Sequence, residues 1–133
     1  MTQAWVGVDL DGTLAVYDGW KGADVIGKPI RPIQEWVLEL LRYNVDVRIF
    51  TARCQEGDIA IKAIEEWCDE HLGAKLPVTD KKDMNMVMMV DDRAWNPWST
   101  ARDVAVLPQI PTVVSECSDH WNTPSAPPKE LSR

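Results

Sequence analysis

Three short apolar runs each close on side chains that an apolar core would reject. "AWVGVDL" at 4–10 carries Asp9 and leads into Asp11. "NVDVRIF" at 44–50 leads into Thr51 and Arg53, and "MNMVMMV" at 84–90 leads into Asp91 and Asp92. Apolar and β-branched runs of this length predict buried strands. Between the first two runs, Ile33, Trp36, Val37, Leu40 and Leu41 repeat at i, i+3, i+4, i+7 and i+8, the buried face of a helix that starts near Pro32. Between the second and third, a helix is expected from about Asp58 to Leu72. It would turn Ile61, Ile64, Trp67, Cys68 and Leu72 inward and stop at Gly73. "AKLPV" at 74–78 and "DVAVL" at 103–107 read as further strands. Strands alternating with helices predict an α/β domain with a mainly parallel sheet. Such sheets bind ligands beyond the carboxyl ends of their strands, where all three polar sets fall.

A chain of 133 residues holds one domain with a real core. We place that domain at 1–114 and read the Ser/Pro-rich stretch 115–133 as a tail that is flexible or draped on the surface. The segment 12–32, with Gly12, Gly19, Gly22, Gly27, Pro29 and Pro32, is a loop or hairpin that leads into the helix start near Pro32. No apolar run reaches the roughly 18 residues of a membrane span, and the first residues lack a secretion-signal pattern. A cytoplasmic protein with no membrane partner is the expectation. Cys54, Cys68 and Cys117 are sparse and unpaired in spacing, which predicts reduced thiols. A net charge of −7 argues against a long nucleic-acid groove, while leaving room for a local phosphate site.

Asp9 and Asp11 stand one residue apart at a strand end, and a turn at Gly12 brings both into one small volume. Two carboxylates about 4 Å apart repel by roughly 4 kcal/mol at an effective dielectric near 20. Asp91 and Asp92 worsen this unless a cation is present. An all-oxygen ligand set of this size suits Mg²⁺, which keeps waters and a substrate phosphate. A carboxylate can also act as a nucleophile, given a second group that protonates the leaving oxygen and later activates water. Asp9 and Asp11 could divide that labour. Thr51 supplies a hydroxyl for a phosphoryl oxygen, and Lys81 or Lys82 an amine for the developing charge. Taken singly, Asp9 reads equally well as a turn cap and Asp91–Asp92 as a helix N-cap pair. The three strand ends together favour chemistry.

"DLDGTL", "FTAR", "KKD" and "MMVDDR" resemble, in order, the four motifs of the haloacid dehalogenase superfamily. Over residues 4–93 the match to its D-x-D-G-T phosphatases rests on Asp9, Asp11, Gly12 and Thr13. The resemblance implies a Rossmann-like three-layer α/β/α fold and a Mg²⁺-dependent phosphohydrolase working through an aspartyl-phosphate. It implies Asp9 as nucleophile and metal ligand, and Asp11 as general acid/base with its backbone carbonyl on the metal. It further implies Thr51 as the phosphate-binding hydroxyl, Lys82 (with Lys81 the alternative) as the third-motif lysine, and Asp91 as metal ligand supported by Asp92. Gly12, Thr13, Ala52, Arg53 and Arg93 flank these positions and are the candidate substrate contacts. The aspartate at position 11 implies phosphate-ester hydrolysis and excludes dehalogenation.

The short spacings leave about twenty residues for a flap and none for a cap domain, so the chain resembles capless members with an open site. It is similar to small phosphatases of bacterial viruses and to the phosphatase domain of polynucleotide kinases, through "DLDGTLA" and "DDR". A phosphorylated substrate is therefore expected, with a nucleotide or a nucleic-acid end among the candidates and a sugar phosphate as the alternative. Trp20, Trp95 and Trp98 could stack a base, or simply pack loops. A phosphorylation-receiver domain carries the same residue types, but there the acidic pair comes first. A non-catalytic phosphate-binding module is the other rival.

Overall fold

β1 (Trp5–Val8) lies inside a four-stranded, all-parallel sheet of order β3-β2-β1-β4, flanked by β2 (Asp46–Phe50) and β4 (Met86–Val90). β3 (Val78–Thr79) forms the edge beyond β2. The helices are α1 (Arg31–Arg42), α2 (Asp58–Leu72) and α3 (Ile110–Asp119). This computed structural model describes residues 3–99 and 104–119. The architecture is the α/β, Rossmann-like one that alternating strand and helix patterns predict.

β1–α1–β2 and β2–α2–β3 are parallel crossovers that step in the same direction, and the right-handed rule puts both helices on one face. Val6 and Val8 of β1 and Val47 and Ile49 of β2 pack there against Val37 of α1 and Ile64, Trp67, Cys68 and Leu72 of α2. Each such side chain taken out of water contributes about 1.5–3 kcal/mol. Gln34 ties the two helices by donating to the His71 carbonyl at 2.9 Å. On the opposite face the Trp5 ring carries the Arg48 guanidinium 4.5 Å from its centroid and donates to Asp83 at 2.8 Å.

Helix α1 begins one residue before Pro32, which accepts that position because the first helical N–H groups have no intrahelical partner. Helix α2 occupies the expected span and ends on Gly73, whose φ of 77° suits a left-handed cap. The short strand expected over 74–78 falls instead at Val78–Thr79. Trp36, expected on the buried face of α1, is exposed, while Leu38 packs at the core margin.

One predicted strand is absent. Residues 104–107 form no sheet pairing, and Val104, Val106 and Leu107 are exposed; the remaining residue of that run, Asp103, lies outside the described residues. Instead, Val106 N–H donates to Pro97 O at 2.8 Å and the Val106 carbonyl accepts from Trp95 at 2.6 Å, closing a loop. A β-branched run becomes a strand only if a neighbour offers an edge, and here a local loop takes those groups. α3 crosses the boundary set at 114/115 and buries no residue; residues 120–133 lie outside the described residues. No helix among the described residues is long and apolar enough to cross a membrane.

The loop from Asp11 to Ile30 is pinned to the body. Val16 N–H donates to Lys28 O at 2.8 Å, and Ile30 N–H to Leu14 O at 2.7 Å. Trp67 donates its indole N–H to Gly27 O at 2.9 Å. Gly27 allows this close approach, since a Cβ there would lie 2.1 Å from the Val16 carbonyl oxygen. Gly27→Ala should therefore destabilise the protein by about 1–3 kcal/mol through overpacking against backbone. Urea unfolding checks this, and an unchanged midpoint would contradict the close approach.

Candidate active site

Where β1 ends the chain makes its tightest turn. Leu14 and Ala15 both donate their N–H groups to Leu10 O, at 2.9 and 2.8 Å, and Gly12 donates to Ala15 O at 2.8 Å. Gly12 adopts φ 87°, which a side chain would resist. The turn sends the Asp9 and Asp11 side chains into different surroundings.

Asp9 faces Asp91 and Asp92. One carboxylate oxygen from each of the three lies within 4.8 Å of the others. The Thr13 hydroxyl stands between them, 3.2 Å from Asp9 Oδ2 and 3.1 Å from Asp92 Oδ1, and accepts the Asp92 N–H at 2.9 Å. Asp91 is held by the Arg93 N–H at 2.7 Å. Burial pushes the Asp9 carboxyl up to about 8, with the Asp91 charge next and the hydrogen bond and charge of Asp92 adding to it. Three hard oxygens this close together could hold a small divalent cation, and the charges of Asp91 and Asp92 add to the burial that raises Asp9. The donor set therefore fits Mg²⁺.

Asp11 turns away from that cluster. Its Oδ2 accepts from Arg53 Nε at 2.7 Å and its Oδ1 from Arg53 Nη2 at 3.0 Å, a bidentate pair. Arg53 is buried and reaches this position because Thr51 caps a 3₁₀ turn over Ala52–Glu56, its hydroxyl accepting the Arg53 N–H at 3.1 Å. Thr51 is itself buried, tied by its own N–H to Thr79 O at 2.9 Å.

These groups line a cleft of about 590 Å³, together with Tyr17, Trp20, Phe50, Ala52, Gln55, Glu56 and Arg93. The structure thus brings together Asp9, Asp11, Thr51, Ala52, Arg53, Asp91, Asp92 and Arg93 of the residues singled out in the sequence. Gly12 and Thr13 lie behind the cleft wall, one shaping the turn and the other bracing Asp9 against Asp92. Lys81 and Lys82 are exposed on the link between β3 and β4 and do not line the cleft; Lys81 Nζ sits 3.4 Å from Asp80. Trp95 is occupied with Val106 rather than the cleft. Sequence reasoning missed Tyr17, Phe50, Gln55 and Glu56. Phe50 opens the "FTAR" motif and Gln55–Glu56 follow it after Cys54, so nearness to that motif was the available signal.

No family model and no curated protein matches this sequence. Among solved structures, a conserved protein from Bacteroides thetaiotaomicron aligns over 90% of this chain and 93% of its own, at 19% identity and a TM-score of 0.50. At that identity the likeness speaks for the fold alone.

A carboxyl whose folded-state value is raised favours the folded protein most while it stays protonated. The Asp9 contribution is therefore full below its unfolded value near 3.8 and is lost as pH rises toward about 8. In chelator-treated protein, the melting temperature of wild type should fall relative to Asp9→Asn between about pH 5 and 8.5, by several degrees, since 1 kcal/mol moves Tm by roughly 2–8 °C. Millimolar Mg²⁺ should narrow that gap at the alkaline end, because it binds the charged cluster of the folded state alone. Calorimetry checks both, and parallel pH profiles for the two proteins would contradict an electrostatically loaded Asp9.

Proposed function

We propose that this chain is a Mg²⁺-dependent phosphoric monoester hydrolase of haloacid dehalogenase type, acting through a phosphorylated Asp9. The observation that carries the reading is the separation of two neighbouring carboxylates into unlike environments at one cleft. Asp9 sits with two further carboxylates, and Asp11 sits on an arginine fork. Mg²⁺ bound by Asp9, Asp91 and Asp92 would neutralise their repulsion and polarise the phosphoryl oxygens.

The chain's own groups account for the remaining steps. An Asp9 oxygen attacks phosphorus as the bond to the leaving oxygen breaks, and Asp11 gives that oxygen its proton. Asp11 then takes a proton from water, which attacks phosphorus and releases inorganic phosphate from Asp9. The Thr51 hydroxyl, holding the Arg53 N–H as acceptor, still has its own proton to offer a phosphoryl oxygen. The lysine of the resembled third motif has no counterpart on the cleft wall, so Arg93, exposed and lining the cleft, is the cation with that role open to it.

Trp20, Tyr17 and Phe50 on the cleft wall favour a substrate with a planar ring, such as a nucleotide. The wall's charge disfavours a long polyanion. Asp9, Asp11, Glu56, Asp91 and Asp92 face Arg53 and Arg93, whereas a polynucleotide end calls for several phosphate-neutralising cations. We therefore rank a mononucleotide above a nucleic-acid end.

Hydrolysis of an aryl phosphate should require Mg²⁺ and vanish in Asp9→Asn. Asp11→Asn should lower turnover of alkyl phosphates by about 10²–10⁴-fold, the usual worth of a positioned general acid. A phosphate-release screen across nucleoside monophosphates, sugar phosphates and end-phosphorylated oligonucleotides checks the substrate ranking. Protein inert on every one of them would make this a phosphate-binding module instead.

A further inference from the structure

Every N–H of the Arg53 guanidinium already has an acceptor. Nε and Nη2 hold the two oxygens of Asp11 at 2.7 and 3.0 Å, and Nη2 also reaches Val25 O at 2.9 Å. Nη1 donates to Ala23 O at 3.0 Å and Gly22 O at 3.3 Å. A guanidinium carries five N–H donors, so none is left for a phosphate. The side chain is 4% exposed, and its planar face lies 4.8 Å from the centroid of the Trp20 ring. Its backbone N–H meanwhile holds the Thr51 hydroxyl.

We infer that Arg53 is a positioning residue: it latches the 20–25 stretch of the loop over the cleft and fixes the Asp11 carboxylate for proton transfer, and it does not bind substrate phosphate. The proton-transfer half rests on the phosphohydrolase reading above. The latch half rests on geometry alone. Three loop carbonyls and one aromatic ring converge on a single buried cation, and that cation is anchored to the strand-end carboxylate of β1. Loop position and acid position are therefore set by the same group. Lysine offers a point charge without the fork and cannot copy this pattern.

The experiment compares wild type, Arg53→Lys and, as a stability control, the core variant Ile64→Val. Two substrates are used with Mg²⁺. 4-Nitrophenyl phosphate has a leaving group that departs as the anion, and glycerol phosphate has one that must be protonated. If Arg53 positions the acid, Arg53→Lys loses about 10²-fold or more in kcat on glycerol phosphate and less than about 10-fold on the aryl ester, the scale of a misplaced catalytic group. KM values and inhibition by inorganic phosphate stay close to wild type, and Ile64→Val shifts neither ratio. Equal losses on both substrates would overturn the positioning role. A raised KM and weaker phosphate inhibition with kcat retained would also overturn it, in favour of direct phosphate binding.

The latch is read without activity. Trypsin should cut after Lys21 faster in Arg53→Lys than in Ile64→Val, and equal rates would overturn the latch. A wild type inert on both substrates and on every member of the phosphate-release screen would fail the phosphohydrolase reading and the proton-transfer half with it, while the cleavage rates would still decide the latch.

Discussion

The parallel register of β1 with its two neighbours is the constraint from which the site follows. Val8 stands opposite Ile49 on one side and Val90 on the other. The next residues along the three strands, Asp9, Phe50–Thr51 and Asp91, therefore leave the sheet at one level. Parallel strands lie about 4.8 Å apart, so side chains emerging there meet within a few ångströms whatever their chemistry. The level of Asp91 depends on an irregularity. Trp5 pairs with Met86 but Val6 with Met88, so Val87 is an extra residue in β4. Without it, β4 would run one residue out of step and present its alternate side chains to each face. The bulge thus aligns Asp91, rather than Val90, with Asp9.

Such convergence is unfavourable without a cation: the charges of Asp91 and Asp92 add to the burial that raises the Asp9 carboxyl. The protein relieves part of it with Thr13, whose hydroxyl mediates between Asp9 and Asp92. Under the proposed reading, bound Mg²⁺ would offset the remainder. Arg53 does not relieve it, because its charge is turned to Asp11 and the loop. A buried guanidinium with all donors matched is tolerated, whereas the same group lacking Asp11 would be a desolvated, half-satisfied cation. The loop carbonyls and Asp11 thus depend on Arg53 as much as it depends on them.

Much of this was legible in the sequence for a physical reason. Helix periodicity and strand-terminal polarity are local signals, and α1, α2, β1, β2 and β4 express them directly. The convergence of Asp9, Thr51 and Asp91 followed because a parallel sheet brings carboxyl ends together without further information. What failed were the inferences needing a specific non-local partner. The 103–107 run shows strand composition, yet Trp95 and Pro97 bind Val106 from within the same loop. The lysines of "KKD" follow the resembled motif order, at a spacing from Asp91 that is short for that family, and the β3–β4 link leaves them on the surface. Arg53 was legible as a site residue and not as a latch, because only the folded loop shows which carbonyls surround it.

The D-x-D pattern is nearly symmetrical as sequence, two aspartates separated by Leu10, and nothing in it says which one attacks. Structure breaks the symmetry through environment. Leu10 is fully buried and anchors the turn, so its neighbours must diverge. Asp9 keeps the strand direction and joins the carboxylates of β4's end. Asp11 lies past the turn, where the one arginine buried among the described residues waits. Under the proposed phosphohydrolase reading, two groups of identical intrinsic acidity would take different tasks, the one facing two further carboxylates and the other held by a fixed cation. What separates their surroundings is a turn and a buried arginine, 42 residues from the carboxylate it holds.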